Sequence, residues 1–131
     1  MPKTTPEMNE HFKKYFNYLV VRDVDAAEKL SCDDEVMGYI GFHSEGGVNW
    51  SLQEAMDHIR PMKPSAVPDY EVTGYYEGDF AWFVGIPRGI LPDGTEVVVR
   101  ITTIMRRVDG VWKGVHWHVS EPVDRSKELQ G

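Results

Sequence analysis

Apolar residues recur at helical spacing near the start of the chain: Phe12, Tyr15, Phe16, Leu19 and Val20 form one stripe, with Lys13, Lys14 and Asn17 opposite. Thr5 followed by Pro6 reads as an N-cap with proline at the first helical position, so a helix is predicted from about 6 to 22. Asp25 and Glu28 offer a capping box for a second, short helix that turns Ala27 and Leu30 inward and ends before Asp33-Asp34. Glu35 to Phe42 is a strand candidate bent by Gly38 and Gly41, and His43 to Gly47 is a loop. Ser51 and Glu54 form a second capping box, with Trp50 placed to staple against Ala55. Leu52, Ala55, Met56 and Ile59 continue the apolar face of that third helix until Pro61 stops it near Arg60.

After a proline-rich linker the period changes from helical to alternating. Four strands are predicted in meander order, at about 69–77, 79–91, 95–108 and 111–121, turning at Gly78-Asp79, Pro92-Asp93-Gly94 and Asp109-Gly110. The second is apolar on both faces and is expected inside the sheet. Helices first and a meander afterwards is an α+β signature, with helix one packed across one sheet face. The last hairpin admits two registers. A tight Asp109-Gly110 turn pairs Arg107 with Trp112 and Thr103 with His116; a bulged turn pairs Arg107 with Val111 and Thr102 with His116. The bulged register is favoured because it separates the faces. Val99, Ile101, Thr103, Met105, Val111, Val115, Trp117 and Val119 share one side, and Arg100, Thr102, Arg106, Trp112, His116 and His118 the other.

With 131 residues the chain is long enough for one domain and its core. A net charge of −7 argues against binding a phosphate backbone, so no nucleic-acid partner is expected. Cys32 is the only cysteine, which rules out an intrachain disulfide and a C-x-x-C pair. No apolar run approaches a membrane span and the first ten residues lack a signal-peptide core, so no membrane partner is expected and the cytoplasm is the expected location. His116 and His118, two apart on a strand, point the same way about 7 Å apart. No third metal ligand is signalled, so neither a metal nor a cofactor is expected.

The run Arg100-Ile101-Thr102, Arg106-Arg107-Val108-Asp109-Gly110, Trp112 and Val115 to Ser120 with Pro122 resembles the C-terminal hairpin of SnoaL-like domains, in the branch related to the association domain of calcium/calmodulin-dependent protein kinase II. These belong to the nuclear transport factor 2-like superfamily. The resemblance implies a cystatin-like cone, N-terminal helices packed on a curved mixed or antiparallel sheet, over residues 1–122, with 123–131 a polar tail. It also implies a pocket inside the cone and a homodimer interface on the outer sheet face.

On the residues, Arg100 and Thr102 with His116 and His118 are expected to line a polar pocket floor, Arg100 as partner for a ligand anion and the histidines as acid/base groups. Tyr39, Trp50 and Trp82, with Phe12, are candidate apolar walls; His11 and His58 fall on expected exposed helix faces and receive no role. The stretch Tyr15 to Asp23 with Asp33-Asp34 is similar to the ketosteroid isomerase pattern. That places Tyr15 at the oxyanion tyrosine, but Tyr39 where the proton-shuttling aspartate belongs, and a phenol is a poor base at neutral pH. The expected function is binding of an unknown small apolar ligand. An isomerase, cyclase or dehydratase acting on an apolar carbonyl compound remains open. The alternative is a non-catalytic oligomerisation module. A homodimer through the sheet is expected, because one helix would leave part of the apolar face that holds Ile101, Met105 and Trp117 uncovered.

Overall fold

The computed structural model describes residues 1–32, 42–43 and 51–130, the pair 42–43 by its strand pairing alone. Helix α1 spans Pro6–Val20, α2 Val24–Lys29, α3 Leu52–Ile59 and α4 Ser126–Leu129; the strands are β1 Phe42–His43, β2 Thr73–Glu77, β3 Phe80–Gly85, β4 Arg88–Ile90, β5 Glu96–Val98, β6 Arg100–Val108 and β7 Val111–Ser120. Five strands make one sheet in the order β1-β7-β6-β3-β2, with β1 parallel to β7 and the rest antiparallel, and β4-β5 form a separate two-stranded wing. The architecture is α+β, and β3 lies inside the sheet as expected.

Local chemistry sets the helix boundaries. The Thr5 side chain accepts from the Met8 amide, Pro6 opens α1, and the apolar stripe from Phe12 to Val20 is buried. α1 stops two residues earlier than expected. Arg22 takes a left-handed conformation (φ 66°), and the Arg22 and Asp23 amides turn back onto the Leu19 and Tyr18 carbonyls, a Schellman closure. That closure moves the start of α2 as well. Its cap is Asp23, accepting from Ala26 at 3.4 Å, not Asp25. α3 carries the complete Ser51–Glu54 capping box and ends at Arg60. The expected staple by Trp50 and the strand from Glu35 up to Gly41 lie outside the described residues. The polar tail contains the exposed helical turn α4.

The expected long strands 79–91 and 95–108 each break once, at Ile86-Pro87 and at Val99. Proline has no N–H for a ladder, and there only the Val99 amide still reaches across, to the Pro87 carbonyl at 3.0 Å. The detached ends form the β4-β5 wing, which is tied to the linker by a pair of hydrogen bonds between Ala66 and Ile90.

The core lies between α1 and one sheet face. Phe12 stacks on Phe83 with ring centroids 4.9 Å apart, and Phe12, Ala81, Phe83, Ile101, Met105, Trp112 and Trp117 are buried in one cluster with Leu52, Met56 and Ile59 of α3. His11, expected on an exposed face, is half-buried, and its Nε2 lies 2.7 Å from the Trp112 carbonyl, docking α1 on β7.

The favoured bulged turn is not formed, and farther from the turn the pairing matches neither expected register. Next to the turn it is the tight one: Val108 pairs with Val111 and Arg107 with Trp112, with positive φ at Asp109 (51°) and Gly110 (80°) as a two-residue turn requires. A bulge between Met105↔Gly114 and Ile104↔His116 then inserts Val115 and resets the phase. Beyond it Thr102 faces His118, not His116. The face containing Ile101, Thr103, Met105, Val115 and Trp117 is as expected, whereas Trp112 belongs to this buried face and not to the polar one. Arg107 lies over the Trp112 ring at 5.0 Å.

Candidate functional site

The face shared by Ile101, Thr103, Met105, Val115 and Trp117 is the one beneath α1, and all five are buried. The uncovered apolar patch expected there is therefore absent, because α1 and α3 together close it. Arg100, Thr102, Ile104, His116 and His118 lie on the opposite face, turned away from the helices. Arg100, Thr102 and His118 are exposed and His116 half-buried. The structure thus gathers these four residues on one surface, outside the core cluster. Ser120 joins them: its hydroxyl accepts from Arg100 Nη2 at 3.2 Å and lies 3.1 Å from His118 Nε2. Nothing in the spacing singled out Ser120, which becomes a neighbour only through the Arg100↔Ser120 pairing. Trp82 is half-buried on this outer face, tilted against Tyr75 at 6.0 Å. Tyr39 and Trp50 lie outside the described residues.

Tyr15 is on the inner side and fully buried. Its hydroxyl lies 2.9 Å from Ser31 Oγ, which itself donates to the Ala27 carbonyl at 2.8 Å. With the Ser31 proton committed, Tyr15 is the donor in that pair. Burial pushes the phenol up to about 12, against the smaller opposing effect of hydrogen bonding. Its ring lies flat on Gly114, where an added Cβ would fall 2.7–2.8 Å from ring carbons. Tyr15 is therefore a structural donor among the described residues, and its proton already has an acceptor.

An apolar cavity of about 150 Å³ opens beside this core, between the end of α1, Ile59 of α3, the linker at Ser65 and Val67, the β4-β5 wing and the inner face of β7. Phe16, Leu19, Val20, Val99, Trp117 and Val119 line it, and Arg22 and Ser65 bring polar side chains to the same wall. Among the described residues, none of the expected site residues lines this cavity. Its position follows from the break at Pro87 and Val99, which separates the wing from the sheet; Pro87 carries a local signal for that break, whereas Val99 does not.

Three solved structures share the fold. An NTF2-like protein of unknown function from Pseudomonas putida KT2440 is 18% identical with a TM-score of 0.73, covering 92% of this chain and 88% of that one. An NTF2-like protein with a cystatin-like fold from Novosphingobium aromaticivorans is 17% identical with a TM-score of 0.66, covering 95% and 84%. The association domain of C. elegans CaMKII is 11% identical with a TM-score of 0.62, covering 83% and 88%. No curated protein matches the chain by sequence. The family model described as "SnoaL-like domain" matches residues 8–124, nearly the whole described fold, and the chain belongs to that family.

Proposed function

We propose that this protein binds a small apolar molecule in the cavity between α1, the β4-β5 wing and β7. The observation that carries this reading is the cavity itself: about 150 Å³ of space walled by side chains such as Leu19, Val99 and Val119. A benzene-sized guest entering such a recess takes apolar surface out of water, which favours binding. A steroid skeleton is too large for that space. Turnover of an apolar carbonyl compound would need an acid or base at the ligand, and the described wall supplies neither an imidazole nor a carboxylate. Calorimetric titration with benzyl alcohol tests the reading: binding to the wild type is expected, and Val99→Phe, which fills the cavity, is expected to abolish it. No detectable heat with the wild type would count against a binding role.

A second reading concerns the outer face. Phe80 and Val84 are each 43% exposed there beside Trp82, and such a face supports association of two copies through their sheets. The groups assigned acid/base and anion-binding roles, His116, His118 and Arg100 with Thr102, would then meet a ligand only where two copies approach. Light scattering at micromolar concentration distinguishes the cases. A dimer in the wild type that Val84→Glu converts to monomer supports association through this face, and a wild-type monomer removes it.

A further inference from the structure

Resting on the binding role given to the cavity above, we propose that its ligand is a compact monocarboxylate, with the apolar body among Leu19, Val99 and Val119 and the carboxylate on the Arg22 guanidinium. Arg22 is the one cation among the cavity's described lining residues. It is half-buried, and no carboxylate among the described residues lies within ion-pair distance of it. Its partners are backbone carbonyls, Leu19 from Nη1 at 2.9 Å and Lys63 from Nε at 3.2 Å. These take two of the five guanidinium N–H groups and carry no net charge. The neighbouring carboxylate, Asp23, is occupied at the cap of α2.

The backbone points the same way. Arg22 stands at the position after a helix end where a left-handed conformation is needed and glycine is the usual residue. A long charged side chain there carries a conformational cost that a helix stop alone does not require, and strained backbone of this kind gathers at ligand clamps. Desolvation acts on the guanidinium as well, holding its pKa below the usual arginine value. A carboxylate reaching it would replace lost hydration with a charge-assisted, two-pronged contact. The cavity volume limits the apolar part to about one six-membered ring or a short alkyl chain.

Benzoate and benzyl alcohol have nearly the same shape and differ in charge, so titrating both into the wild type, Arg22→Gln and Arg22→Lys separates the contributions. Benzoate is expected to bind the wild type about tenfold or more tightly than benzyl alcohol. Arg22→Gln should bring benzoate down to the alcohol while leaving the alcohol unchanged, and Arg22→Lys should recover part of the preference. Equal binding of both probes by the wild type, or a benzoate preference that survives Arg22→Gln, overturns the carboxylate assignment and leaves the cavity role standing. Failure of both probes to bind the wild type overturns both, and binding of the alcohol alone overturns the carboxylate assignment only. Should Arg22→Gln not fold, the wild-type comparison still decides, because equal affinity for benzoate and benzyl alcohol overturns the assignment without any variant.

Discussion

Below about pH 10 the Tyr15 phenol is neutral in both folded and unfolded chains, and its state costs nothing. Between about pH 10 and 12 the unfolded chain releases the proton while the folded chain keeps it, since burial holds the group up to about 12. Stability is therefore full below pH 10 and falls as pH rises through this window, by on the order of 2–3 kcal/mol. Burial also pushes Tyr70 upward, which steepens the same limb. Tyr15→Phe removes the buried hydrogen bond to Ser31 and should cost about 1–2 kcal/mol at neutral pH, yet flatten the alkaline fall. Denaturant unfolding across the alkaline range measures both. Gly114→Ala attacks the same packing from the other side. Its methyl group meets ring carbons of a fully buried Tyr15, and a loss of about 1–3 kcal/mol is expected in the same assay.

Among the elements, α3 is held at its start by the reciprocal Ser51–Glu54 contacts at 3.2 and 3.1 Å. Ser51→Ala should cost about 1 kcal/mol, measured as a shift in the thermal midpoint, with Ser51→Gly milder. That capping box was legible in the sequence, as were the helix opening at Thr5-Pro6 and the apolar stripe of α1, because each depends on residues within one turn of one another. The hairpin was legible in part. Asp109-Gly110 announces its turn through local backbone preference, but the bulge at Val115 depends on Tyr15 needing a bare Gly114 beneath it, a contact between residues 99 positions apart. The candidate site was less legible for the same reason. The polar residues of β6 and β7 were correctly grouped on one face, yet which face α1 covers is decided by Phe12 meeting Phe83, and neither the wing nor the half-buried helix-end Arg22 has a local signature as cavity wall.

For the molecule as a whole, the wild type is expected to show no measurable isomerisation of a Δ5-3-ketosteroid in an absorbance assay. Tyr15 is committed to Ser31 and the cavity is too small for four fused rings; turnover would require a second, larger site. The sheet also has an order of assembly written into it. Early residues are stitched onto strands made late: Lys3 pairs with Tyr75, Ser31 with Gly114, and Phe42 with Trp117. The Gly114 amide donates to the Leu30 carbonyl, while the Cys32 amide donates to the Gly114 carbonyl, at 2.7 and 2.8 Å. During synthesis α1 therefore leaves the ribosome with its apolar stripe bare, since its stacking partner Phe83 is made about 70 residues later and β7, which completes the core, later still. Contacts this distant in sequence make folding slow and leave the waiting chain open to aggregation. A chain ending at residue 110 should accordingly show helical content without a cooperative unfolding transition, so that β7 is the point at which the growing polypeptide first becomes a folded protein.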